Sequence, residues 1–170
     1  MTLLETWTAT ACAAAIGCAV SGGAIAAPAT LYFDFNTNLV APNASLFLFG
    51  NAGQAATVSN QAGFSQNVVL GADGFFSLSI PSAYQQSGTG IRNTGFEVTS
   101  SNALAAYFIN RASASTDMSY LLDSSALGKN YVVASQGVGF GEGSQIAIHA
   151  TQDNTAVTLT PKGGRRSTSC

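Results

Sequence analysis

Residues able to do chemistry are few in this chain and lie far apart. His149 is the sole histidine. No cysteine or paired acid lies near it in sequence, whereas a zinc site needs three or four ligands. A structural or solvated place on the outer face of a strand is therefore expected for it. Asp153-Asn154-Thr155 offers oxygens of the kind calcium takes, but short polar residues between two strands also make an Asx turn, the simpler reading. Asp73 falls in a glycine-flanked turn. Asp123 precedes a short helical stretch, Ser124 to Leu127, where a cap accounts for it. Asp117 belongs to an excursion, Ala112 to Lys129, that strand periodicity does not require, and a loop-anchoring hydrogen bond is expected there. Gly137, Gly139, Gly141 and Gly143 alternate between two strands and lack the helix N-terminus that a phosphate cradle needs. Arg165 and Arg166 read as a solvated tail. No nucleophile, base and orienting acid can be assembled, and no two carboxylates stand at a local spacing suited to glycoside hydrolysis. The sequence predicts a non-enzyme without catalytic residues, cofactor or metal.

The elements that would position these residues follow a period of two, the mark of strands with one buried face. Ile146 and Ile148 alternate with Ala147 and His149, and Val157 and Leu159 with Thr158 and Thr160. Gln152-Asp153-Asn154 between them predicts a β-hairpin over Ser144 to Thr160. Leu31, Phe33 and Phe35 share one face of an opening strand, and Asn36 to Asn43 is a loop. Ser45 to Gly50 and Ala56 to Ser59 flank an Asn-Ala-Gly turn and read as a second hairpin. Phe64 to Leu70 and Phe75 to Ile80 flank Gly71-Ala72-Asp73-Gly74 and read as a third. Phe96 and Val98 point inward with Glu97 outward, Ala103 to Arg111 favours a buried strand, and Tyr131 to Ser135 a further one. Phe33, Leu48, Val68, Leu78, Val98, Phe108 and Ile148 are the expected core. The pair Leu46–Phe49/Ala56–Val58 resembles Ile146–His149/Val157–Leu159 about a hundred residues later, an internal repeat of sandwich-domain size.

Only 8% of residues are charged, far below the usual quarter, while small polar residues abound. Between Ala27 and Thr160 the bases are Arg92, Arg111 and Lys129, with no basic stripe, so nucleic acid is not an expected partner. Residues 1–26 read as a signal peptide: Ala9 to Val20 is apolar, too short to span a membrane, and Ala24-Ile25-Ala26 is an A-x-A cleavage pattern before Ala27. A lipoprotein site at Cys18 is the weaker alternative, because Ala15 stands where leucine is expected. Cys12 and Cys18 fall in that segment and Cys170 ends the chain, so the body holds no disulfide framework.

Several of these stretches resemble the IgGFc-binding protein N-terminal domain family. Ala150-Thr151-x-Asp153-Asn154-Thr155-x-Val157-Thr158-Leu159-x-Pro161 is similar to its characteristic hairpin. Gly95-Phe96-x-Val98-Thr99-Ser100, a strand ending at Asn110, Thr116-Asp117 and Leu127-Gly128-x-x-Tyr131 follow in the family's order. The resemblance covers Leu31 to Pro161 and leaves residues 162–170 outside it, as a truncated and disordered tail. The expected fold is an all-β, predominantly antiparallel β-sandwich of eight to ten strands. It comprises one complete unit at residues 27–143 plus the opening hairpin of a second at residues 144–161. The resemblance implies an exported, non-catalytic binding or adhesion module that recognises a protein or glycoprotein through loops. Two other classes compete: a structural surface or matrix protein that self-associates through strand edges, the 144–161 hairpin above all, and a hydrolase of surface glycans built on two distant carboxylates.

Overall fold

Alternation in the sequence becomes alternation in burial. The computed structural model describes residues 27–38, 43–113, 115–134, 145–161 and 166–169; the segment 1–26 read as a signal peptide and the glycine-rich run 137–143 lie outside them. Among the described residues ten strands form: β1 (Ala29–Phe33), β2 (Asn43–Phe49), β3 (Ala55–Asn60), β4 (Ser65–Val69), β5 (Phe75–Ile80), β6 (Phe96–Ser100), β7 (Ala105–Arg111), β8 (Thr116–Leu121), β9 (Ala156–Leu159) and β10 (Arg166–Ser169). Two 3-10 turns, Ser82–Tyr84 and Ser124–Ala126, are the only helical pieces among the described residues. One four-stranded sheet runs β1-β6-β3-β4 and the other β5-β2-β7-β8, and every strand pair is antiparallel. The two sheets pack as a β-sandwich.

Leu31, Leu46, Leu48, Val58, Phe96 and Val98 are fully buried between the sheets. Phe33 joins the two layers, stacking at 4.8 Å on Phe96 of its own sheet and at 4.8 Å on Phe108 of the other. Of the expected core, Phe33, Leu48, Val68, Val98 and Phe108 are buried, and Leu78 packs against the core while half-exposed. Ile148 is not part of it: the side chain is 42% exposed.

The two expected hairpins at residues 45–59 and 64–80 do not form, because neither turn reverses the chain. β2 and β3 lie in different sheets, as do β4 and β5. Together they make one long hairpin whose tip is Asn60–Phe64, where Asn60 N donates to Phe64 O. Its pairing runs in one unbroken register from Ala44↔Ile80 to Phe49↔Phe75 in one sheet and from Ala55↔Val69 to Ser59↔Ser65 in the other. The stretches read as turns are corners at which each leg crosses between sheets, bonded to one another: Gly50 N to Gly74 O, Gly53 N to Leu70 O and Leu70 N to Gln54 O. Such bends are how strands switch sheets in a folded-over sandwich. A third strand passes the same corner, from β6 to β7, and the buried Gln54 amide ties it down. Nε2 donates to Ser100 Oγ (2.9 Å), Asn102 O (3.2 Å) and Ala103 O (3.1 Å).

The Ala112–Lys129 excursion supplies β8, which completes the second sheet, and then returns to the first. Leu31 and Asp123 form an isolated antiparallel bridge, and Asp123 Oδ2 accepts from Thr30 N (3.1 Å). Residues 131–134 are not a strand, which corrects the reading of Tyr131 to Ser135. The hairpin expected over residues 144–160 is also replaced: residues 145–150 join no ladder, and β9 pairs instead with β10. The tail taken for disordered thus supplies a strand. The apparent repeat fails with it, since neither half is a hairpin.

Candidate functional site

Inward packing of Leu31, Phe33 and Phe35 turns Tyr32 and Asp34 to the outer face of the first sheet. Antiparallel register then sets Glu97 opposite Tyr32, and Ser59 opposite Glu97. Tyr32 Oη donates to Glu97 Oε1 (3.2 Å). Burial, followed by the charge of Glu97 and this hydrogen bond, raises the Tyr32 pKa above its ordinary value, so the phenol keeps its proton as donor.

The loop after the Ser82–Tyr84 turn rises beside this face and is pinned by Gln86. Its backbone N donates to Phe35 O and its carbonyl accepts from Thr37 N. Its side-chain Nε2 donates to Asp34 Oδ2 and to Thr94 Oγ1, both at 2.8 Å. Asp34 Oδ1 accepts from Phe35 N (2.8 Å). Burial nevertheless pushes the Asp34 carboxyl above the usual range, opposed by these hydrogen bonds and the charge of His149. Arg92 is turned into its own loop, donating to Ser87 O (2.7 Å).

A third wall comes from residues 145–161, here called the arm. His149 lays its ring on Tyr32, centroids 5.1 Å apart and planes tilted by 39°. It lies so close over Gly95 that a Cβ there would collide with its Nδ1. Of the structural or solvated place expected for it, His149 takes the structural one; the strand face is corrected, since it belongs to no strand and is a half-buried contact between the arm and the sandwich. Between these walls lies a cavity of about 1000 Å³, at the upper end of the ~300–1,000 Å³ usual for small-ligand sites. A shallower hollow of about 390 Å³ beside Ala55–Thr57 and Thr99–Ser101 presents only small side chains.

Other residues singled out by sequence stay apart from this groove or support it locally. Asp123 caps its 3-10 turn as expected, its Oδ1 accepting from Ser125 N (2.9 Å), and it also holds β1. Asp73 Oδ1 accepts from Phe75 N (3.1 Å) within a sheet-to-sheet corner. Asp153-Asn154-Thr155 forms a turn with Asn154 in the left-handed region (φ 58°) and Thr155 Oγ1 donating to Gln152 O (2.6 Å). Asp117 is not a loop anchor: it stands exposed on β8 opposite Asn110. Among the described residues no three His, Cys, Asp or Glu side chains are grouped to hold a metal ion. Sequence reasoning missed Tyr32, Asp34, Gln86 and Gly95. The outward phase of Tyr32 and Asp34 was there to be read, but nothing local marks Gln86 or Gly95.

Residues 117–169 match the family described as IgGFc binding protein. The match spans β8, the Asp123 stitch, the arm with His149, and the β9–β10 pair, so one wall of the groove is built from the family's own segment. It extends through residue 169, beyond the resemblance read from the sequence, and it leaves residues 31–116 outside. No curated protein and no solved structure matches the chain. No helix among the described residues is long and apolar enough to cross a membrane.

Proposed function

We propose that this chain is an exported, non-catalytic binding module that recognises a protein or glycoprotein through its loops. The groove carries this reading: the 86–95 loop and the family-matched arm wall it, and they rest on a rigid sheet, the usual arrangement for recognition loops. The family's printed description, a protein that binds immunoglobulin Fc, supports a protein ligand. The test offers the chain immobilised Fc, purified mucus glycoproteins and serum proteins in turn, with Tyr32→Ala as comparison. Capture of at least one that the variant loses is expected. Retention no better than that of an unrelated β protein on every surface would end the proposal. For export, the mature protein should begin at Ala27 by mass spectrometry; an intact Met1 on a cytosolic product would refute it.

A second reading, self-assembly at a strand edge, draws on the outer face of the second sheet. Phe47, Phe75, Phe49, Tyr107 and Tyr120 form a continuous row of ring contacts reaching β8 at the sheet edge. Met118 and Tyr120 on β8 are exposed. An edge strand presents unpaired backbone groups to another chain. Light scattering would show association that Met118→Lys suppresses; a strictly monomeric parent at high concentration excludes this route.

A further inference from the structure

We propose that the groove takes a neutral oligosaccharide, its rings lying against Tyr32 and the arm and its hydroxyls bonded to the sheet face. This rests on the binding-module reading and names the chemistry of the ligand. One wall is apolar: Ile146, Ile148, Val157 and Leu159 all line the groove, although they belong to two segments that do not pair. The opposite wall is polar but mixed in character. Carboxylates only accept, amides both donate and accept, and the tyrosine hydroxyl does both. Vicinal sugar hydroxyls need this mixture, while the C–H faces of the same sugar need the apolar wall and an aromatic ring.

Free valences on that polar wall are specific. Gln86 spends its Nε2 on Asp34 and Thr94, leaving Oε1 to accept. Tyr32 donates to Glu97 Oε1, leaving its own oxygen and Glu97 Oε2 as acceptors.

Charge argues for neutrality. Asp34, Glu97 and Asp153 line the groove against two basic groups, Arg92 and the single imidazole of His149, and Arg92 is bonded back to Ser87. An anionic sugar, phosphate or sulfate would meet uncompensated carboxylates. A basic peptide would match the sign of the field, yet both Asp34 oxygens already accept from neutral donors, as does one oxygen of Glu97. Such carboxylates suit hydroxyl donors without needing a cation.

The experiment titrates the full chain, by amide NMR and calorimetry, with lactose, maltotriose and tri-N-acetylchitotriose. Sialyllactose and the blocked peptide Gly-Lys-Gly serve as charged comparisons. At least one neutral sugar should bind and shift the amides of residues 86–95 and 145–150. That binding should persist at about 1 M salt, where charges are screened beyond about 3 Å. Tyr32→Ala should weaken it about tenfold. His149→Ala, on the arm and outside the sandwich core, should also weaken it with the sandwich spectrum intact, and Tyr120→Ser on the opposite sheet should leave it unchanged. Binding of the lysine peptide alone, abolished by salt, overturns the proposal, as does absence of any neutral-sugar binding at millimolar concentration. Capture of a protein ligand that these sugars neither shift nor displace would overturn it while leaving the binding-module reading standing.

Discussion

Asp34 and Asp123 sit near opposite ends of β1, and their surroundings push them in opposite directions. Asp123 is held below the ordinary carboxylate range, first by the Ser125 side chain, then by the backbone of Ser125 and of Thr30. Its ionised form is favoured by folding, so its contribution is present above the ordinary carboxylate pKa and is lost as pH falls through the depressed folded value. Asp34 is raised, chiefly by burial. Its contribution is present below the ordinary carboxylate pKa and is lost as pH rises through the raised folded value. Asp123→Ala should therefore cost stability at neutral pH, about 1 kcal/mol as for a lost cap, and cost less in acid. Asp34→Asn should compare increasingly well with the parent as pH rises from 3 to 7, a span of about four units across the carboxylate range. Urea midpoints across that range check both; parallel curves for the two variants would contradict the assignment.

At the scale of elements, the period of two placed β1 to β7 and β9, because burial on one face is a local demand that the chain writes locally; it missed β8 and β10 and read strands at residues 131–134 and 146–149 that the structure does not form. The corners were not legible. Asn51-Ala52-Gly53 and Gly71-Ala72-Asp73-Gly74 carry ordinary hairpin chemistry, and only bonds between the two corners, together with Gln54 reaching the 100–103 segment, decide that the strands continue instead of reversing. The groove was half legible for the same reason. Tyr32 and Asp34 follow from strand phase, whereas Gln86 and Gly95 are chosen by neighbours far away in sequence. The arm was misread because its alternation permits pairing with β9 but cannot show that His149 is engaged elsewhere. Gln54→Leu should lower stability by about 2–3 kcal/mol, since it takes the amide donor from two backbone carbonyls at the corner and one of the bonds of Ser100 Oγ. Gly74→Ala should be at least as damaging: residue 74 has φ 72° and a Cβ would strike the Gly50 carbonyl. Gly53→Ala, at φ 73° with open space around it, should cost only about 1 kcal/mol. Equal losses for the two glycines in urea denaturation would mean the corner is not tied as described.

For the whole molecule, the single register of the long hairpin bears on the order in which the sheets can assemble. Its first pair, Ser59 with Ser65, closes a loop of a few residues, and each further pair outward adds little to that loop until Ala44 meets Ile80. Growth from the tip is thus a zipper that builds half of both sheets while chain closure remains cheap. The bond from Thr30 to Asp123 joins residues 93 apart and gains nothing until β6, β7 and β8 are in place. Pulsed hydrogen exchange during refolding should protect amides of β3 and β4 before those of β1; protection of β1 first would exclude the zipper. A chain emerging slowly from the ribosome would present this hairpin complete before the Asp123 end exists, so the sandwich can hold an unfinished edge at β3 and β2 until the later strands arrive to cover it.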